Sequence, residues 1–405
     1  MTKTIEKIYA EEILDSRGNP TLLVNVFSSG KHASFAVPSG ASTGINEAHE
    51  LRDKDGKGVR DAIHKVNNII APMLVGFDIF NQSKIDLKMI SMDGTKNKKV
   101  LGGNSILGVS IAVAKVAALV KGVPLHEYLK TLSDISPSHR VPYLYMNLIN
   151  GGKHADNELA FQEYHIVPFV DDASLSIEIG IKIDSILRDI IQKELGDESV
   201  LLGDEGGFAP KLKSIRTPLE YLKQAISLSP YQDKVGIALD VAASSFYEDG
   251  FYMIDGEKKN AEELQGLYSE LIKEFNIFSI EDPFNEDDFE NFNKLKNAHP
   301  DLVVIGDDLT VTNKILLHQA IKQDAVNGII IKPNQIGTLS ETLETMKLAS
   351  FHKVKIIISH RSGETNDDFI ADLAFAFGTF GLKSGAPTKT ERMVKYNRLI
   401  NISKK

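Results

Sequence analysis

The stretch from Ile277 to Gln335 reads IFSIEDPFNEDDFENFNKLKNAHPDLVVIGDDLTVTNKILLHQAIKQDAVNGIIIKPNQ. Three apolar runs in it each end in an ionisable residue: Ile277–Ile280 in Glu281, Val303–Gly306 in Asp307, and Gly328–Ile331 in Lys332. Amphipathic stretches at 286–298 and 312–322 separate them. Short apolar runs alternating with helical spans argue for parallel βα units. The rhythm continues outward. Strand-like runs are expected at 200–203, 235–239, 277–280, 302–306, 328–331 and 354–359, with a further helix at 338–350.

Extended along the chain, the pattern gives Glu205, Asp240, Glu281, Asp307, Lys332, His360 and Lys383, at steps of 35, 41, 26, 25, 28 and 23 residues. One βα unit needs about 30 residues. Each group therefore falls near the C-terminal end of a successive strand, the catalytic face of a βα barrel. A single charge after a buried strand is explained equally well by a wet loop. Seven in succession, acids first and bases last, ask for more than that.

The preceding segment has a different rhythm. Residues 5–37 read as strands, with the turn chemistry of DSRGNP at 15–20. Helical patterns follow at about 59–75, 79–92 and 104–122. Strands followed by helices suggest an α+β module. The polar stretch 133–142, with Pro137 and Pro142, marks the boundary. The expected fold is α/β: a small N-terminal α+β module over residues 1–135 and a βα barrel over 136–405.

Composition narrows the chemistry. A net charge of −9 without a long basic run disfavours nucleic acid as the primary ligand. The absence of cysteine removes disulfides, zinc–thiolate sites and thiol nucleophiles, and fits a reducing, cytoplasmic compartment. Residues 1–10 lack a signal-peptide core. The apolar run 104–122 is interrupted by Ser105, Ser110 and Lys115, and reads as a buried helix rather than a membrane span.

Asp240, Glu281 and Asp307, on neighbouring strands, would repel one another unless a cation held them. Hard oxygen ligands select Mg²⁺ or Mn²⁺; surface ion pairing is the plainer alternative. Lys332 and Lys383 face these acids. A lysine beside another cation and a bound metal has a lowered pKa and can serve as a base, although a lone lysine is ordinarily a solvated charge. GDEGGF (203–208) sets Glu205 on a glycine-rich turn, and SGASTG (39–44) is a small-residue loop without the lysine of a P-loop. GGKH (151–154) and Gln162-Glu163 add polar groups at the start of the barrel. A lone histidine such as His154 is more often structural than catalytic.

At this point the residues resemble the enolase family. The runs LDSRGNPT (14–21), VPSGASTG (37–44), GDEGGFAP (203–210), SIEDP (279–283), GDDLTVTN (306–313), KPNQIGTLSET (332–342), SHRSGET (359–365) and KYN (395–397) carry the likeness from about residue 8 to 402. The resemblance implies a capping N-terminal domain and a barrel that begins with an irregular ββαα unit. It implies reversible dehydration of 2-phosphoglycerate to phosphoenolpyruvate with two Mg²⁺ per site. Asp240, Glu281 and Asp307 match metal ligands, and Ser42 matches a loop ligand to the second ion. Lys332 matches the base, Glu205 the acid, and Glu163 its support. His154, Gln162, Arg361, Ser362 and Lys383 match substrate-binding or orienting positions, and His360 helps shape the pocket. A lysine base beside magnesium is the general pattern of enolase-superfamily sites. A homodimer or an assembly of dimers is also implied.

The chain departs from the family pattern at Pro333, where Val is usual, and at Gly381-Leu382, where Gln-Ile is usual. It also has Tyr164-His165-Ile166 for Phe-Met-Ile, Phe289 for a frequent Trp, and a shortened stretch at 52–58. Two rival readings follow. One is a sugar-acid dehydratase of the same superfamily, against which Arg361-Ser362 and the SGASTG loop favour a phosphorylated substrate. The other is a divergent paralogue with a surface or assembly binding role, for which Lys404-Lys405 would suit a lysine-reading partner.

Overall fold

The computed structural model of the chain describes residues 3–40, 46–136 and 140–404. The N-terminal module opens with β1 (Lys7–Leu14), β2 (Pro20–Ser28) and β3 (Lys31–Ala36), an antiparallel meander in the order β1-β2-β3. The turn between β1 and β2 is closed by Asp15, whose carboxylate accepts the N–H groups of Arg17 (2.9 Å) and Asn19 (2.8 Å). Such Asx chemistry is what the DSRGNP run supplies.

Helices α1 (Arg60–Lys65) and α2 (Ala71–Leu74) are joined by a π-helical turn, Val66–Ile70. Pro72 offers no N–H to the carbonyl one turn back, so the ladder loosens there. Next come α3 (Gln82–Asp93), α4 (Gly103–Lys121) and α5 (Leu125–Lys130). By length and composition α4 is apolar enough to cross a membrane, but 83% of its apolar window is buried inside the fold. It lies tight against the sheet. A Cβ on Gly108 would come within 2.4 Å of Val24 Cγ2, so only glycine fits that crossing.

The second module begins β4 (Tyr143–Asn150), β5 (Glu163–Pro168), α6 (Ala173–Leu195), α7 (Arg216–Leu228), β6 (Val235–Asp240). A small hairpin sheet, β7 (Tyr247–Glu248), β8 (Phe251–Ile254) and β9 (Glu257–Lys259), decorates the rim. Regular βα units follow: α8 (Ala261–Phe275), β10 (Ile277–Glu281), α9 (Phe289–Ala298), β11 (Val303–Gly306), α10 (Lys314–Lys322), β12 (Gly328–Ile331), α11 (Pro333–Ile336), α12 (Leu339–Phe351), β13 (Lys355–Ser359), α13 (Phe369–Ala376), β14 (Gly381–Lys383) and α14 (Thr390–Ser403).

Eight strands close into a barrel in the order β10-β11-β12-β13-β14-β4-β5-β6. All neighbours are parallel except that β5 runs antiparallel to both β4 and β6. The expected ββαα start is therefore present. Tyr145, Val167, Ala238, Val303, Ile305, Ile330 and Ile357 fill the interior, as a packed barrel requires.

Two of the departures have a local explanation. A Cβ on Gly381 would lie 2.7 Å from the Tyr145 ring, so the tyrosine occupies the space a larger residue at 381 would need. Pro333 stands at the first position of α11, where its missing N–H costs nothing, and Lys332 before it is extended (φ −123°, ψ 102°).

One expected strand is absent. Residues 200–203 make only an isolated bridge, Leu202 to Phe208. Leu201 and Leu202 are 69% and 41% exposed, so this apolar pair is not core. Glu205 therefore sits on a turn between α6 and α7 rather than after a barrel strand.

Candidate active site

The C-terminal ends of the strands gather the ionisable residues at one mouth. Asp240, Glu281 and Lys383 are the last residues of β6, β10 and β14, while Asp307, Lys332 and His360 directly follow β11, β12 and β13. Glu163 is the first residue of β5, but that strand is reversed, so it faces Asp240 across the ladder. The turn bearing Glu205 is stitched to β4: Phe208 N–H donates to Leu148 O and Asn150 N–H to Phe208 O, both at 2.8 Å. Gly207 is required there, since a Cβ would lie 2.6 Å from Asn147 O.

A cavity of about 220 Å³ opens at this mouth. His154, Gln162, Glu163, Glu205, Asp240, Asp307, Lys332, His360, Arg361, Ser362 and Lys383 all line it. Glu281 lies just beneath, 2% exposed. Ser42 falls outside the described residues.

Lys383 is the hub of one side. Its Nζ donates to Asp240 Oδ2 (2.7 Å) and Glu281 Oε2 (2.9 Å) and pairs with Glu163 Oε2 (3.1 Å). On the other side Lys332 Nζ pairs with Asp307 Oδ2. The expected trio thus shares the mouth, with lysines standing against its members. Among the described residues, the groups whose ligand atoms all approach within 4.8 Å are instead Asp282, Asp307 and Asp308, and His154, Glu163 and Glu205. Asp282 is committed elsewhere, because its carboxylate accepts the backbone N–H groups of Asp307 (2.9 Å) and Asp308 (2.7 Å). It holds Asp307 in place rather than offering itself.

The acids are under electrostatic load. Burial, opposed by Lys383, raises the Asp240 carboxyl, and burial together with Asp240 pushes Glu281 well up. Glu281 Oε1 is buried with no hydrogen-bond partner among the described residues. Crowded, buried, repelling carboxylates with an unused oxygen are what a divalent cation relieves. The donor set is all oxygen, which fits a hard ion.

The nearest opposite charges set the protonation of Lys332 and Glu205. Burial pulls Lys332 down, but the Asp307 charge outweighs it and the lysine is held above its ordinary value. Burial and Glu163 push Glu205 up, but His360 and His154 outweigh them and it lies below the usual carboxylate range. Of the two histidines, His360 is lowered by burial despite Glu205, whereas His154 is raised by Glu205 and Glu163 against burial. His154 stands between the two acids. Its Nδ1 lies 3.2 Å from Glu163 Oε1 and 3.7 Å from Glu205 Oε1.

Several supporting residues carry no local sequence signal. Arg392 on α14 is wholly buried. It donates to the carbonyls of Arg361 (2.7 Å), Ser362 (2.7 Å) and Asp204 (3.1 Å), and touches His360 Nδ1. One guanidinium thus ties both flanks of the mouth together. Asn147 Nδ2 donates to Glu205 Oε2 (3.1 Å), and His165 Nε2 meets Glu163 Oε2 at 2.7 Å. Arg361 forms a forked pair with Glu47 of the N-terminal module (2.9 and 3.4 Å). Spacing hints at none of these except His165, which lies two residues from Glu163 on one face of a strand.

A family model described as "Enolase, N-terminal domain" matches residues 5–129, and one described as "Enolase, C-terminal TIM barrel domain" matches residues 138–405. A protein named Enolase from Methanocaldococcus jannaschii is 46% identical over 404 residues, 98% of this chain and 94% of its own. Enolase B of Dictyostelium discoideum is 47% identical over 418 residues, with 98% and 94% covered. An Enolase from Natranaerobius thermophilus is 46% identical over 410 residues, with 98% and 95% covered.

Proposed function

The chain belongs to the enolase family, and from that premise we propose how its residues carry out the family's reaction. It is a lyase, a phosphopyruvate hydratase that interconverts 2-phosphoglycerate and phosphoenolpyruvate in glycolysis. The family carries a divalent metal; we take it to be Mg²⁺, two ions per site. Asp240, Glu281 and Asp307 would hold the first, and Ser42 would contribute to the second. Bound there, such ions would supply stabilisation of the second negative charge that proton removal places on the substrate carboxylate.

The chain's own groups do the proton work. Lys332 takes the proton from C2. Asp307, paired with this amine, holds it above its ordinary pKa; a cation held by Asp307 would weaken that pairing and favour the base form. Glu205 gives a proton to the departing 3-hydroxyl. It must first acquire one, and the two imidazoles beside it are His360, with Nε2 at 3.4 Å, and His154, with Nδ1 at 3.7 Å. Lys383 holds the reacting carboxylate, and Ser362 and the Arg361 guanidinium, one edge of which is paired with Glu47, offer donors to phosphate oxygens. Gln162 and His360 complete the walls. The observation that carries this reading is that Lys332 and Glu205 line one cavity together with Asp240, Asp307 and Lys383.

Phosphoenolpyruvate formation, followed by ultraviolet absorbance with and without Mg²⁺, tests it. Turnover is expected to need the metal and to fall by about 10²–10⁴-fold in Lys332→Ala and in Glu205→Gln. Near wild-type rates in either variant would overturn the acid–base assignment. The same reading divides the modules at 135/136 and carries with it a homodimer or assembly of dimers and a cytoplasmic location, as family resemblance implies. Light scattering tests the oligomer.

A further inference from the structure

The loop after β11 holds two consecutive β-branched residues in the left-handed region, Val311 (φ +39°) and Thr312 (φ +56°). A β-branched residue there is a genuine outlier. Such strain persists only where the surroundings over-determine it, and it gathers at functional sites.

What this conformation achieves is visible in the hydrogen bonds. Thr312 is fully buried. Its Oγ1 accepts the N–H of Lys332 at 2.8 Å and donates to Gln335 Oε1 at 2.7 Å. A hydroxyl has one proton, and Lys332 N–H takes a lone pair, so that proton goes to Gln335. The glutamine amide is thereby oriented: its oxygen faces Thr312 and its nitrogen faces away. Gln335 Nε2 then donates to Asp307 Oδ1 at 2.9 Å. The other oxygen of Asp307 pairs with Lys332. The four groups make a closed circuit, Asp307–Gln335–Thr312–Lys332. It is anchored twice more, by Thr345 Oγ1 donating to Thr312 O (2.8 Å) and by Ala48 N–H donating to Gln335 O (2.7 Å).

We propose that Thr312 and Gln335 are positioning residues that fix the Asp307 carboxylate for its cation and set the backbone from which Lys332 projects. Neither touches substrate; each acts through its neighbour. The proposal rests on the reading of Asp307 as a metal ligand. Outer-shell partners of this kind typically change metal affinity or activity by roughly 10–100-fold when removed.

The test compares Thr312→Val, Thr312→Ser and Gln335→Met with wild type. Mn²⁺ binding without substrate is followed by electron paramagnetic resonance, kcat and KM are measured at saturating Mg²⁺, and thermal melting checks the fold. Thr312→Val and Gln335→Met are expected to weaken Mn²⁺ binding roughly 10–100-fold and to lower kcat more than they raise KM. Thr312→Ser keeps the hydroxyl and is expected to restore binding to near wild type. If Thr312→Val does not fold, Gln335→Met decides alone. Wild type binding Mn²⁺ while Gln335→Met binds it equally well overturns this proposal and leaves the function intact. Equal losses in Thr312→Ser and Thr312→Val also overturn it. A wild-type chain that binds no Mn²⁺ sinks the metal reading, and this proposal with it.

Discussion

Lys383 is 2% exposed and faces three carboxylates within 3.1 Å. Removing one partner from such a group leaves buried charge uncompensated, which costs about 3–5 kcal/mol. Lys383→Met is expected to lose stability on that scale in urea denaturation, besides losing activity. A change under 1 kcal/mol would show that the lysine is not what balances these acids. The ends of the strands were legible because an apolar run stopping at a charge is a local signal. Arg392, Asn147 and Gln335 were not, because each reaches its partner from a distant helix or mid-strand position and looks ordinary in sequence. The protonation states of Lys332 and Glu205 were also illegible: they depend on which opposite charge lies nearest, and only the fold decides that.

At the scale of elements, α6 carries an anomaly. Asp184 lies on its buried face, 6% exposed, and its Oδ1 has no hydrogen-bond partner among the described residues. Burial, only partly offset by Arg188, raises its carboxyl from 3.8 to about 6. Well below 3.8 the group is neutral in both folded and unfolded chains, and its contribution is fully present. As pH rises to about 6 the unfolded chain ionises first, so stability is lost across that interval. The loss amounts to about 3 kcal/mol and is constant above it. Asp184→Asn is expected to remove this slope, gaining more stability near neutral pH than in acid. Urea midpoints at the two ends of the interval measure it, and equal gains at both ends would refute it. Elements were legible wherever period and burial agreed. Residues 200–203 misled because their leucines point to solvent, and glycines at 203, 206 and 207 favour a turn over a ladder.

At the scale of the molecule, the two modules are joined by buried polar contacts as well as apolar packing. Asp86 on α3 is fully buried and accepts the N–H (3.0 Å) and hydroxyl (2.6 Å) of Ser340 at the start of α12. Lys98 pairs with Glu341 (3.0 Å) and Lys115 with Asp367 (2.7 Å). Ser39 and Gly363 exchange two backbone hydrogen bonds. Asp86→Ala orphans buried donors at about 1–3 kcal/mol each. In urea it is expected to lose activity before far-ultraviolet circular dichroism, whereas both fade together in wild type. Coincident loss in the variant would mean the modules do not depend on this contact. Two modules were legible from the change of rhythm near residue 135. The contacts between them were not, since each pairs residues hundreds of positions apart.

The reversed β5 has a consequence of parity. A chain that climbs one strand and descends the next finishes at the floor, so it needs an even number of further passes before it can climb again. The up-and-down pair α6 and α7 supplies them, and the link between these helices surfaces at the rim carrying Glu205. A regular repeat delivers one rim residue per circuit; this irregular one delivers His154, Glu163 and Glu205. Straightening that single strand, or deleting one of the two helices, would leave the proposed proton donor on the wrong side of the barrel.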